Sequence, residues 1–175
     1  VAKVSERTAL VGGHTVVALA GATGSGKSSL FNALVGTPVA TVGVRRPTTS
    51  TSTAAIWGSE PVGDLLDWLG VGTRHLVTSD PEAAARGGRH EGPIGSLDGL
   101  VLLDLPDFDS REIGHRTEAE RVLELVDLFV WVTDPQKYAD ARLHDDYVAA
   151  LATHEAVTMV VLNQADRLTT AEVAQ

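Results

Sequence analysis

Gly21-Ala22-Thr23-Gly24-Ser25-Gly26-Lys27-Ser28 is the stretch that decides how this chain is read. It matches GxxxxGK[ST] at every fixed position. Ahead of it, Thr15 to Ala20 (TVVALA) is a short apolar run rich in Val, the pattern of a buried strand in a parallel sheet. Behind it, Lys27 to Val35 (KSSLFNALV) sets Leu30, Phe31, Leu34 and Val35 at helical spacing, and Gly36 marks the stop. Strand, glycine-rich loop and helix in that order are the context such a loop requires. The glycines let the backbone curl, so that N–H groups between Gly21 and Ser29 point inward at phosphate oxygens. The helix adds its positive N-terminal end. Lys27 is expected to bridge the β- and γ-phosphates, and Ser28 to set its hydroxyl on Mg²⁺. A glycine-rich turn with no ligand is the bland alternative, and the correct flanks argue against it.

Working outward, Leu100 to Leu103 (LVLL) predicts a strand that ends on Asp104, within Asp104-Leu-Pro-Asp107-Phe108-Asp109. A carboxylate at the end of a strand beside the phosphate-loop strand can hold Mg²⁺ through its water shell. Alone, Asp and Pro at a strand end would mean only a turn. Farther on, Val157 to Leu162 (VTMVVL) predicts a buried strand followed by Asn163-Gln164-Ala165-Asp166. The carboxylate of Asp166 suits guanine, because N1–H and the exocyclic amine offer it two donors that adenine lacks. Asn163 is expected to hold the loop and reach the purine edge. Between the first helix and the second strand lies Arg45-Arg46-Pro47-Thr48-Thr49-Ser50. Thr49 is read as the threonine that meets Mg²⁺ and the γ-phosphate, with Thr48 as the near alternative.

The remaining pattern alternates strand and helix. Strands are expected at 53–57 and 128–132, and helices at 1–11, 63–69, 117–127 and 139–152. Thr169 and Glu172 form a capping-box pattern for one more helix. Residues 70–98 read as loop with some short structure. Alternation of this kind predicts an α/β fold with a mostly parallel central sheet covered by helices on both faces, in one domain.

Composition agrees. The chain has 175 residues, 43% hydrophobic and 21% charged, a length suited to one sizeable core. It has no cysteine, which excludes disulfides and thiolate metal sites and fits a reducing cytoplasm. The net charge of −9 argues against nucleic acid as a partner for the surface as a whole, with Arg45 and Arg46 as a local basic spot. No apolar run approaches the roughly 20 residues needed to span a bilayer. The six histidines do not share metal-ligand spacing, and Trp57, Trp68 and Trp131 read as packing residues.

With phosphate loop, threonine loop, strand-end aspartate and NxxD in order, the chain resembles the translation-factor-related P-loop GTPases, above all the Era-like and bacterial dynamin-like branch. The stretches DLPDFDS and Asp134-Pro-Gln-Lys-Tyr-Ala-Asp140 resemble a little-characterised bacterial group of that branch, whose members are longer and often have membrane-spanning parts downstream. The resemblance implies a Ras-like G domain binding GTP and GDP with Mg²⁺, and a nucleotide switch at the cytoplasmic face of a membrane. It also implies self-association or membrane contact through downstream segments. The likeness runs over about residues 15 to 170. Its last base-contacting element, an SAx loop after one further strand, and a closing helix do not occur before Gln175, so the domain is expected to be cut short. Residues 58–99 exceed the minimal fold and are expected to hold an insertion.

Three departures from the pattern bear on chemistry. The glycine slot of DxxG holds Asp107, which adds negative charge near phosphate. The following slot, where related enzymes place a water-orienting Gln, holds Phe108, which cannot orient water by hydrogen bonding. Gln164 replaces the usual lysine of NKxD and shortens the stem that covers the base. Slow hydrolysis is therefore expected, with Lys27 and Thr49 as the catalytic groups. Two other readings are a P-loop ATPase or small-molecule kinase, against which NQAD argues, and a nucleotide-gated scaffold with little turnover, which Asp107 and Phe108 favour.

Overall fold

A computed structural model of the chain describes residues 11–40, 52–59, 61–77, 97–106, 122, 126–136 and 157–168. The helices expected over 1–11, 117–127, 139–152 and beyond Thr169 lie wholly or mostly outside these residues, as does the loop that carries Thr49. Within the described residues run β1 (Thr15–Gly21), α1 (Lys27–Val35), β2 (Thr53–Trp57), α2 (Gly63–Trp68), β3 (Thr73–Val77), β4 (Leu100–Asp104), β5 (Leu128–Thr133) and β6 (Val157–Leu162), then a 3-10 turn at Ala165–Arg167. The expected strands and the two described helices fall at or within a residue of their places.

The six strands form one sheet in the order β3-β2-β4-β1-β5-β6. β1 lies parallel to both β4 and β5, β5 is parallel to β6, and β3 is parallel to β2. Only β2 against β4 is antiparallel among the described pairs. Alternation along the strands explains the two cores. On β1, Val16, Ala18 and Ala20 face one side with Val101, Leu103 and Phe129. Val17 and Leu19 face the other with Leu102, Val130 and Val132. α2 covers the first side through Leu65 and Leu66, and the buried Val122 and Val126 belong there too. Val126 N–H donates to Val122 O at 3.1 Å, the bond of one helical turn. α1 covers the second side through Phe31 and Val35, four residues apart on one helix face. Burying Phe31 contributes about 1.5–3 kcal/mol. Gly36, at φ 81°, ends α1 by giving its N–H to Asn32 O, as the sequence led us to expect.

Two expectations need correction. Residues 70–98 contain a true strand, β3, which extends the sheet beyond β2; its run Thr-Arg-His-Leu-Val carries too little apolar alternation to announce itself. Helix α2 and β3 both fall in the stretch expected to hold an insertion. β6 was expected to be buried, yet Val157, Met159 and Val160 are more than half exposed. The physical reason is position: β6 is the last strand in the sheet and pairs only with β5 among the described residues. Among the described residues no helix is long and apolar enough to cross a membrane.

Candidate functional site

Because β1, β4, β5 and β6 run the same way, their carboxyl ends gather at one edge of the sheet. β2 runs opposite, so its first residues arrive at that same edge. The chain leaves β1 toward the β2–β4 side and leaves β5 toward β6, and open parallel sheets bind ligands where outgoing connections diverge in this way. Gly21 closes β1 there, in register with Val132. A Cβ on Gly21 would lie 2.3 Å from Val132 O and 2.9 Å from Ser25 Oγ, so no other residue fits. Ser25 N–H bonds Ala22 O at 3.1 Å to tighten the loop. Gly26 is the N-cap of α1 at φ 87°, with no side-chain cap, and the first turn of the helix has no acidic residue. No acidic side chain of the helix's own first turn competes for this positive end, which suits an anionic ligand.

Beneath the loop, Lys27 and Asp104 form a buried ion pair. Lys27 Nζ donates to Asp104 Oδ1 at 2.7 Å, with the two side chains 2% and 0% exposed. Ser28 Oγ donates to Asp104 Oδ2 at 2.8 Å. One carboxylate therefore gathers the lysine and the hydroxyl of the phosphate loop, and both expected metal-side residues, Ser28 and Asp104, meet. Low dielectric makes such a pair costly to break, because either partner left alone is a buried uncompensated charge.

The loop after β6 docks on the phosphate loop through two amides. Asn163 Nδ2 donates to Ser25 O at 2.9 Å, and Gln164 Nε2 donates to Gly24 O at 3.2 Å. Asn163 is itself set by its N–H bond to Thr133 O at the end of β5. The amide of Asn163 occupies the place a side chain on Gly26 would take: a Cβ there would lie 2.2 Å from Nδ2. Gln164 stands at φ 56°, a left-handed conformation that turns the chain into the 3-10 turn. Asp166 lies in that turn and is exposed. Gln164 Oε1 and Ser25 Oγ are buried without a hydrogen-bond partner among the described residues, one on each of the two docked loops. Unpartnered buried acceptors at this spot suit a polar ligand.

Of the sequence-derived candidates, Gly21 to Ser29, Asp104, Asn163, Gln164 and Asp166 all stand at this edge; Thr49 lies outside the described residues. Ala22 and Ser25 are buried, while Gly24 and Ser29 are exposed. Three features escaped the sequence. Gln164 is a loop-to-loop hydrogen bonder here as well as a shortened lysine. Ser52 and Thr53 are buried at the start of β2, and Thr53 is the register partner of Asp104. Asp134, 4% exposed, follows β5 and accepts Gln136 N–H at 2.9 Å, fixing the chain as it leaves the sheet. A polar residue at or just outside one end of an apolar strand is the signal the sequence held for these.

Comparison with solved structures places this architecture. Era from Aquifex aeolicus, as a variant bound to GDP and AlF4⁻, superposes with a TM-score of 0.57 at 18% identity, over 90% of this chain and 43% of that one. Era in complex with MgGDPNP and nucleotides 1506–1542 of 16S ribosomal RNA gives 0.55 at 18% identity, over 91% and 43%. An oligomerised bacterial dynamin pair, described as sensing and tethering membranes, gives 0.60 at 17% identity, over 99% and 29%. The chain thus spans less than half the length of these neighbours, and at such identities the likeness is one of fold. A search of the curated proteins gives no significant match. The 50S ribosome-binding GTPase family matches residues 16–164, from β1 through Gln164. By that match over most of its length, and with a G-domain fold, the chain belongs to the 50S ribosome-binding GTPase family.

Proposed function

We propose that this domain is a Mg²⁺-dependent GTP switch that hydrolyses GTP slowly. The observation that carries the reading is the single carboxylate of Asp104, joined to both Lys27 and Ser28 under the phosphate loop. Lys27 binds the β- and γ-phosphates, and the N–H groups from Gly21 to Ser29 cradle them. The donor set fits Mg²⁺: a hydroxyl and a carboxylate are hard oxygen ligands, 2.8 Å apart and backed by a fixed helix. Ser28 and Asp104 would hold the ion, with Thr49 joining them in the GTP state, and the ion would supply positive charge against the phosphates. Asp166 reads guanine while Asn163 and Gln164 keep its loop against the phosphate loop. GTP orders the stretch around Thr49, and hydrolysis releases it.

Slow turnover follows from the chain's own residues. Phosphoryl transfer rests on positioning and charge stabilisation, and Phe108 offers no group to place water while Asp107 brings charge of the wrong sign. Arg45 or Arg46 supplies charge stabilisation in cis or across a pair of domains. Single-turnover GTP hydrolysis should then run at about 10⁻⁴ to 10⁻³ per second in dilute protein, the intrinsic range of an unassisted G domain. The rate should climb with protein concentration or lipid vesicles, and Arg45→Ala or Arg46→Ala should remove the climb. Fast turnover by a dilute monomer would exclude a slow switch. A rate near zero under every condition would favour the nucleotide-gated scaffold, the reading that Asp107 supports. We place the protein in the cytoplasm, at a membrane face in its longer form, with self-association or lipid as its partners. The net charge of −9 argues against nucleic acid, and an RNA arm in the same assay decides that point, since one neighbour was solved with ribosomal RNA.

A further inference from the structure

Both oxygens of the Asp104 carboxylate are taken by the start of α1. Lys27 Nζ donates to Oδ1 at 2.7 Å and Ser28 Oγ donates to Oδ2 at 2.8 Å. The two bonds differ in what they allow. A hydroxyl has one donor and two acceptor sites, so Ser28 can keep its bond to Asp104 and still turn a lone pair to a metal ion. An ammonium has donors only and carries a full charge, so a cation on Asp104 must lie beside Lys27 or displace it. The pair is sealed from solvent: the Lys27 and Asp104 side chains are 2% and 0% exposed, and Thr53, the register partner of Asp104 on β2, is 6% exposed. Screening is weak at such a place, so like charges repel strongly and a charge that loses its partner is costly.

We propose that Lys27 and Mg²⁺ compete for Asp104, so that the phosphates of the nucleotide admit the metal by drawing Lys27 away. This rests on the reading of the site as a Mg²⁺-dependent GTP switch. Without nucleotide, Lys27 neutralises Asp104 and keeps a divalent cation out. Without metal, a nucleotide has to take Lys27 from Asp104, and it leaves a buried carboxylate uncompensated beside phosphate. With both present, phosphate receives the lysine, Asp104 receives the metal, and no charge is left alone. Each ligand therefore strengthens the other by the same factor. The exchange involves Lys27, Ser28 and Asp104, and GDP is enough to set it off, because its β-phosphate also draws on Lys27. A carboxylate that only ligated the metal would matter in Mg²⁺ and be silent in its absence. One that only held the fold would weaken binding alike in both conditions.

The test is titration of wild type and Asp104→Asn with fluorescent GDP, once in Mg²⁺ and once in EDTA, with thermal melts alongside. Asn keeps the shape of the side chain and removes its charge. In EDTA, Asp104→Asn should bind GDP about three- to tenfold more tightly than wild type. In Mg²⁺ it should bind about tenfold more weakly, so the order of the two proteins reverses between the conditions. Metal-free affinity equal to or below that of wild type, in a folded variant, would overturn the proposal. If Asp104→Asn does not melt cooperatively, Mn²⁺ decides, followed by the paramagnetic resonance of the free ion. Nucleotide-free wild type should take Mn²⁺ about fiftyfold more weakly than the GDP complex, and nucleotide-free Lys27→Met about tenfold more tightly than nucleotide-free wild type. Equal Mn²⁺ affinity of wild type with and without GDP, or no gain in a folded Lys27→Met, would also overturn it. Failure of wild type to bind GDP even in Mg²⁺ would sink the switch reading itself, a result distinct from two proteins that keep the same order in both conditions.

Discussion

At the phosphate end of the site the polar groups are buried, with Ser25, Lys27 and Asp104 at 0%, 3% and 0% exposure, whereas at the base end Asp166 and most of β6 stand exposed. The phosphate loop lies over the middle of the sheet, where β1 has neighbours on both sides, and an internal ion pair sets its shape. The base loop hangs from the last strand and takes its place from two amide bonds to the phosphate loop. Burial makes the first region a matter of stability as well as binding. Exposure makes the second a matter of binding almost alone. Substitutions should therefore separate the two: stability should fall at one end, and specificity should change at the other with the fold intact.

The largest effect is expected at Asp104. Asp104→Ala leaves Lys27 buried without its carboxylate and should lower unfolding free energy by about 3–5 kcal/mol, read from the urea midpoint. For the same reason Lys27→Ala, which leaves the Asp104 carboxylate buried without its cation, should also destabilise. A variant at Asp104 with an unchanged midpoint would erase the contrast between the two ends. Next comes Asp166→Asn. Its melt should match wild type, while GTP affinity should fall by roughly two to three orders of magnitude and xanthine nucleotides should gain. Competition binding with GTP, ATP and xanthosine triphosphate measures this, and equal wild-type affinity for ATP and GTP would end the assignment of Asp166 as the base reader. The smallest effect is expected at Gln164. Gln164→Ala loses one bond to Gly24 O, so GTP affinity should drop about two- to fivefold, whereas Gln164→Lys keeps a donor and should stay near wild type. If lysine proves worse than alanine, the amide's role as a loop-to-loop link is wrong.

The sequence by itself determined the local pieces. Glycines at 21, 24 and 26 dictate the loop, because its conformation and close contacts exclude a side chain. Short continuous apolar runs mark five of the six strands, and spacing marks α1 from Lys27 to Gly36. The places of Asp104, Asn163 and Asp166 at or just after strand ends, on one edge of the sheet, were legible from the apolar runs before them. What pairs with what was decided by tertiary structure alone. No local pattern says that Asp104 holds Lys27 and Ser28 together, 77 and 76 residues away. Nor does any say that Gln164 reaches Gly24, or that Asn32 fastens Val39 and Ala40. Exposure of β6 is likewise a matter of where the strand lies, at the last place in the sheet, and not of its apolar run. Apolar runs, helical spacing and glycine are local properties of the chain, which a sequence records directly. Hydrogen-bond partners and burial depend on which strands lie side by side, and that order exists only once the sheet has formed.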